Sequence, residues 1–564
     1  MRRIITVGVA AILQVALLAP VHSSARPPLL QRRVLHHLNA RAWLSAGVRM
    51  WLHPQSPQAP GSQPPHQALG AAGAFGTNVD AADPSEDLAG GQSETAIAAG
   101  TFQGQRRVVV GWNDISGQFA TDATSVRASG TGVGYSGDGG ASFTDLIGLP
   151  NDNPDQQWAG DPSIVAVDDG QSFIVGSLYF PSFQACSDGN PSQLTVAVSV
   201  GTVDPAGSAV TFGNPVVAAQ AGNVCSFRRR PPRRLSLLDK DWVGYDQASR
   251  TLVVAYIRFF MSRGHSGLGQ VEIVRAHVPS DPSRLSSSDF SSPIVVWREE
   301  HNCRRGVESS EALRCGALNE GPFPVVAPGG DTYVVWERNI SSNLFDGDPY
   351  VYMHAALVPA GARAPSVGGA SDPRVITLGQ VGSNPDGGVK SLVGEIIAGY
   401  NRFEPGPNDF PQAAVRPLSG QVVFVWEDAS QHLLGDVWMR ASDLSLSAFG
   451  AIRRVNDDSG GVLHFLPAVS VGAADRVITS WYDRRLWGPD STRTDYFAEI
   501  TPGPNVSAPD FRVTTDDSDW NGVSTRITPN FGDYTDNTTD GSTPYFTWSD
   551  GRLGFPQPFV DGAR

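Results

Sequence analysis

Three acidic residues, Asp161, Asp241 and Asp533, each stand just ahead of a short apolar stretch in a recurring pattern. Aromatic residues sit beside them: Trp158, Trp242 and Tyr534. Arg338, Arg484 and Arg552 close stretches of the same kind. Carboxyl groups that meet around one glycosidic bond can divide the work of hydrolysis. One is held protonated by its neighbours' charge and donates a proton, while the other stays ionised. Aromatic faces stack on sugar rings, and arginines clamp an acidic sugar. The candidate catalytic residues are therefore Asp161, Asp241, Asp533, Arg484 and Arg552. Trp158, Trp242, Tyr534 and Arg338 are the candidate substrate-binding residues. Two other readings stay open. The same residues would serve as caps and salt links between strands, or the acids would hold a cation such as calcium, a hard ion that prefers oxygen ligands.

Such groups, far apart in sequence, need a scaffold that brings them to one place. A pattern recurs in residues 94–114, 161–180, 241–259, 321–338, 410–428, 465–485 and 532–552. Each copy is a short apolar strand, a Gly, Asp or Ser turn, and a second β-rich strand, which is the pattern of a hairpin. Aligned on the second strand, one column reads Trp112, Gly176, Tyr256, Trp336, Trp426, Trp481 and Trp548. Asp161, Asp241 and Asp533 share another column in that alignment. Strand-like pieces between copies, such as 436–440 and 511–514, raise the count to four strands per unit. A four-stranded sheet buries its faces only by stacking on its neighbours. Radial stacking of such sheets predicts an all-β chain, a β-propeller of seven four-stranded blades. After Trp548 too little chain remains for a complete last blade. Residues 76–80 are expected to supply its outer strand, closing the ring and removing an exposed edge. Strand starts and second-strand ends then share one face, which places the candidate site around the axis.

Residues 135–144 contain Ser136, Asp138, Gly140, Ser142 and Phe143 in the order S-x-D-x-G-x-[ST]-[WF], the Asp-box. With the repeats over about 90–564, the chain resembles the sialidase-like (BNR-repeat) propeller superfamily, in its secreted bacterial type. Ser136, Asp138, Gly140 and Phe143 are read as structural: Asp138 accepts backbone hydrogen bonds, Ser136 caps the turn and Phe143 packs inward. The resemblance implies that this turn lies away from the active face, and that the activity is that of an exo-sialidase-like glycoside hydrolase. The alternative is a non-catalytic carbohydrate-binding or adhesive propeller. The chain departs from the family in its seven copies where sialidases have six blades. It has one clear Asp-box and no R-I-P motif, so the family's catalytic residues have no counterpart by motif here.

Composition agrees with a folded β protein. Hydrophobic residues make up 40% and charged residues 17%, with 61 Gly and 42 Pro for turns. The net charge of −14 argues against nucleic acid as a partner. Of 42 basic residues only Lys240 and Lys390 are lysines, and the sequence alone gives that skew no function. Arg2 and Arg3, then an apolar run closed by Pro20, read as a signal peptide over 1–25. Residues 26–75 read as a basic, Pro-rich linker or pro-segment, and 76–564 as the propeller. The expectations are a secreted monomer, extracellular or periplasmic, with no membrane span in its mature form. Its partner would be an extracellular or cell-surface glycan, and no cofactor is required unless calcium fills the axis. The basic stretch 228–234 reads as an insertion between blades.

Export and an even cysteine count predict two disulfides, Cys186–Cys225 and Cys303–Cys315, each bracketing one inter-copy insertion. Peptide mapping of the exported protein should find both crosslinks; four free thiols would refute the pairing.

Overall fold

The computed structural model describes residues 77–83, 91–114, 129–151, 156–181, 194–221, 235–262, 265–298, 318–339, 350–363, 374–377, 389–390, 410–428, 434–459, 461–489, 491–520, 522–523 and 531–562. The signal peptide, the linker, the four cysteines and the basic stretch 228–234 lie outside the described residues. Described helical pieces are single 3-10 turns such as Asp168–Gly170. No described helix is long and apolar enough to cross a bilayer.

Seven antiparallel sheets follow one another along the chain. Their innermost strands include Gln92–Phe102, Ser163–Val167, Leu235–Asp246, Leu318–Val326, Gln412–Arg416, His464–Val471 and Asp536–Thr539. Each pairs with the next strand of its own sheet, as Gln412 with Val425 or Asp536 with Thr547. Successive innermost strands pack on one another, and the first also packs on the last sheet. The result is a closed seven-bladed β-propeller.

The core between blades is aromatic. The pairing registers align Trp112, Ser177, Tyr256, Trp336, Trp426, Trp481 and Trp548, each at most 1% exposed. Residue 177 occupies the column where the repeat alignment put Gly176; an undersized residue there left nothing in the sequence to fix the register. In the sixth and seventh blades the indole N–H donates to the carboxylate two residues on, Trp481 to Asp483 and Trp548 to Asp550, both at 2.8 Å. A buried indole thereby satisfies its polar edge while its rings fill the space between blades. In the first blade the indole lies flat on the neighbouring strand. A Cβ at Gly132 would stand 2.1 Å from Trp112 Nε1, so only glycine fits there.

The seventh sheet has the order Asp536–Thr539, Pro544–Asp550, Gln557–Gly562, Val79–Asp80. Its outermost strand comes from the N-terminal side, with Val79 opposite Val560 and Asp80 opposite Phe559. Asn78 fastens this strand. Its Oδ1 accepts from Thr515 N at 2.6 Å, Thr515 Oγ1 at 2.8 Å and Arg552 Nη2 at 3.0 Å. Its Nδ2 donates to Asp561 Oδ2 at 2.8 Å and Val513 O at 3.1 Å. One side chain so joins the outer strand to both the sixth and seventh blades.

At ~1 kcal/mol net for a typical hydrogen bond, Asn78→Ala should lower unfolding stability by about 2–4 kcal/mol in denaturant titrations. Deleting 26–70 should leave the melting temperature nearly unchanged, whereas deleting through residue 90 should depress it strongly by baring the edge of Gln557–Gly562. Equal melting temperatures for the two truncations would refute closure by this strand.

Candidate functional site at the propeller axis

Five of the seven innermost strands begin with an irregularity. The ladders of four blades skip between Ser93 and Ala96, Asp239 and Trp242, Glu320 and Phe323, and Phe465 and Ala468. Glu94, Lys240, Gly321 and Leu466 occupy the skipped position with positive φ of 57°, 53°, 55° and 51°. Asp161, at φ 57°, takes the same place ahead of Ser163 in the second blade. A left-handed bulge residue re-aims its side chain out of the strand's alternation. Non-glycine residues adopt that conformation at a cost of about 1–3 kcal/mol, and such strain gathers at functional sites. Four such residues, Glu94, Asp161, Lys240 and Leu466, stand at the axis.

The structural column is therefore Glu94, Asp161, Lys240, Gly321, Phe410, Leu466 and Tyr534, each two residues ahead of the first regular ladder pair. Asp161, Asp241 and Asp533 do not share a column: Asp161 is in it, Asp241 follows it and Asp533 precedes it. In an extended strand one residue of offset reverses the face. The bulges absorb the offset, and the three still belong to one charged network.

At its centre is Lys240, whose side chain is 2% exposed and whose Nζ pairs with Asp533, itself 1% exposed. Burial alone would pull the ammonium down, but Asp533, Glu94, Asp161 and Asp239 together hold it well above its ordinary pKa. The ammonium also lies 5.2 Å from the centre of the Phe410 ring. Lys240 thus supplies, from the chain itself, the positive charge that a converging ring of acids requires. Among the described residues no group of three or more His, Cys, Asp or Glu side chains is arranged to hold a metal ion.

The acids outnumber that cation, and burial keeps several of them protonated. Asp161 is pushed up to about 8, by burial against the pull of Lys240 and with the push of Asp239 and Asp241. Glu94 is its other acidic neighbour. Asn113 bridges the same pair, donating to Glu94 Oε2 at 2.5 Å and accepting from Asp161 N at 2.7 Å. Glu320 is raised by burial and by Glu337 opposite it. Asp241 is raised well above the usual carboxylate range by burial and then by Asp239. It is 2% exposed, and neither of its oxygens has a hydrogen-bond partner among the described residues. Gly176 makes room for it, since a Cβ there would stand 3.3 Å from Asp241 Oδ2.

A small, half-open pocket adjoins this network. Lys240, Asp241, Trp242, Phe323, Phe410 and Tyr534 line it, with Gly321, Pro322, Pro411 and Gln412. The Trp242 ring lies 4.9 Å from both Phe323 and Tyr534. Tyr534 donates to Pro162 O at 3.0 Å, and Gln412 links Thr535 O at 3.0 Å to Val469 N at 3.2 Å. The described wall is mostly apolar, and its ionisable points besides the Tyr534 hydroxyl are Asp241 and Lys240, the latter paired with Asp533 behind it.

The remaining candidates lie outside the pocket lining. Trp158 is fully buried, donating Nε1 to Pro150 O at 2.9 Å and packing 5.0 Å from Tyr179. Arg338 lies over Trp297 at 5.7 Å. Arg552 pairs with Asp550 at 2.7 Å, over Phe559, and reaches Asn78, so it serves ring closure. Arg484 is 2% exposed, and burial brings it down to about 10. The Asp138 turn lies at the opposite strand ends, where Gly139 N donates to Arg106 O at 3.1 Å. Asp138 accepts from Ala141 N at 2.9 Å, Ser142 N at 3.0 Å and the hydroxyls of Ser136 and Ser142 at 2.7 Å. Gly140 N donates to Ser136 Oγ at 2.8 Å, and Phe143 packs against the cluster around Trp112. Two more turns share this pattern, with Asp204 accepting from Ser208 and Asp443 from Ser447, each four residues on. Their signal was an Asp and a Ser four apart, with Phe212 and Phe449 following. Lys240 was missed altogether, although lysine is nearly absent from the chain.

No family model and no curated protein matches the chain. Solved structures resemble it at low identity. An α-L-arabinanase from Penicillium chrysogenum, complexed with arabinobiose, is 9% identical over 86% of this chain and 98% of its own, with a TM-score of 0.39. A Dyadobacter fermentans protein of unknown function is 12% identical over 71% of this chain and 93% of its own, with a TM-score of 0.40. A Hadza microbial sialidase is 12% identical over 72% of this chain and 65% of its own, with a TM-score of 0.38. At these scores the likenesses carry no argument about the site, and the assignment of seven blades rests on strand pairing.

The buried acids fix the sign of a pH dependence. Asp161 and Asp536 titrate at about 8 and Asp510 at about 7 in the folded chain, each raised foremost by burial. A group raised on folding stabilises fully below its unfolded value, near 4, and that contribution is lost as pH climbs through the folded value. Carboxylates held low, such as Asp138, act in the opposite sense only below about pH 4. The melting temperature should therefore fall steadily from pH 5 to pH 9 in calorimetric scans. A rise over that range would contradict the protonated state of the axial acids.

Proposed function

We propose that this is an exported, glycan-active propeller, a glycoside hydrolase whose axial pocket seats a sugar residue of an extracellular glycan. The observation that carries the reading is Asp241: a buried carboxyl, raised by burial and by Asp239, whose oxygens have no hydrogen-bond partner among the described residues, in the lining of an aromatic pocket that it shares with Lys240, the ion-pair partner of Asp533. The Trp242 ring offers an apolar face for a sugar ring, and Asp241 donates to or accepts from a hydroxyl or the glycosidic oxygen. For hydrolysis Asp241 gives its proton to the leaving-group oxygen as the bond to the anomeric carbon breaks. Water adds at that carbon, and its proton passes to the ionised carboxylate.

Binding without cleavage is the second reading. It is favoured by Asp533 itself, which is 1% exposed and already engaged by Lys240. The sialidase-like expectation draws on resemblance alone, because neither Arg484 nor Arg552 lines the pocket.

A fluorogenic glycoside panel and a glycan array separate these readings. Asp241→Asn conserves volume and should cut hydrolysis by about 100-fold or more, with the melting temperature little changed. Asp138→Ala should lower stability and leave specific activity per folded molecule intact. Array binding with no hydrolysis of any glycoside by wild type would leave the binding reading. No array binding would remove the carbohydrate reading.

A further inference from the structure

We infer that the axial pocket takes uncharged sugar residues and rejects acidic ones, uronic and sialic acids alike; this deepens the carbohydrate reading above and rests on it. A carboxylate taken out of water needs a partner, and the usual one is a guanidinium fork that bonds both oxygens. No arginine is among the described residues that line the pocket. The one cation of that described lining, Lys240, is committed to Asp533 and has Glu94, Asp161 and Asp239 around it as well. An incoming anion would face Asp241 and would compete with Asp533 for the same ammonium. Asp241 would have to remain protonated merely to avoid repelling it.

The rest of the described wall offers no charge to compensate. Gln412 commits one amide N–H and its amide oxygen to backbone partners. The Tyr534 hydroxyl donates to Pro162 O. Trp242, Phe323 and Phe410 are apolar surface. A neutral sugar asks only for what is present: a flat apolar face on one side and, on the other, the carboxyl of Asp241, which exchanges hydrogen bonds with hydroxyls in either protonation state. The arginines that sequence reading assigned to an acidic sugar are used elsewhere, Arg552 at the closure of the ring and Arg484 in the buried wall of the sixth blade.

The test compares matched ligands on the full chain. Titration calorimetry or array binding at pH 7 would pair neutral glycosides with the corresponding uronates, such as glucoside with glucuronide and galactoside with galacturonide, and would add sialylated glycans. The neutral partner of each pair should bind at least tenfold more tightly. Equal or tighter binding of the acidic partners would overturn the inference while leaving the carbohydrate reading intact. Failure of neutral and acidic ligands alike would remove both together.

Discussion

One buried ammonium makes the centre of this molecule tenable. Seven strand starts converge on an axis, and Glu94, Asp161, Asp241, Glu320 and Asp533 come with them. Like charges at such distances cannot all be ionised in a dry interior. The protein meets the constraint in two ways at once. Lys240 supplies a cation to Asp533, and the surplus carboxyls keep their protons. Both answers require exclusion of water, and the aromatic column between the blades provides it. The axial chemistry and the hydrophobic packing are thus one problem: loosening the tryptophans would hydrate the acids, and ionising the acids would push the innermost strands apart.

The blade count, the aromatic column and the strand that closes the ring were legible because they are periodic. Hairpins with a terminal tryptophan repeat well enough to be counted by eye. The register at the axis was not legible, because a bulge inserts a residue without changing composition. The alignment therefore grouped Asp161, Asp241 and Asp533, whereas the ladders place them at three successive positions. It also set Gly176 where Ser177 stands, since the second blade lacks an aromatic to mark the column.

Lys240 shows a different failure. Reasoning about acids searched for metals and arginines as counter-charges, and a lone lysine between two aspartates looked like an ordinary charged strand start. Asp204 and Asp443 were hidden for a simpler reason. Their turns keep the hydrogen-bond pattern of Asp138 but not a glycine two residues after the Asp, so a residue motif misses what the geometry conserves. The arginines were visible and were misplaced, because a strand end tells which rim a side chain starts from and not which neighbour it reaches.

The closing strand sets an order in time. Val79 meets Val560 across nearly the whole length of the polypeptide. A ribosome releases the first of these long before it makes the second, so the earliest strand of the ring waits unpaired while every later blade forms. Lys240 waits too, since its partner Asp533 belongs to the final blade. Until then the nascent chain carries an open edge and a partly neutralised row of acids. Forming the last blade relieves both late, and a chain truncated ahead of that blade is left with both defects.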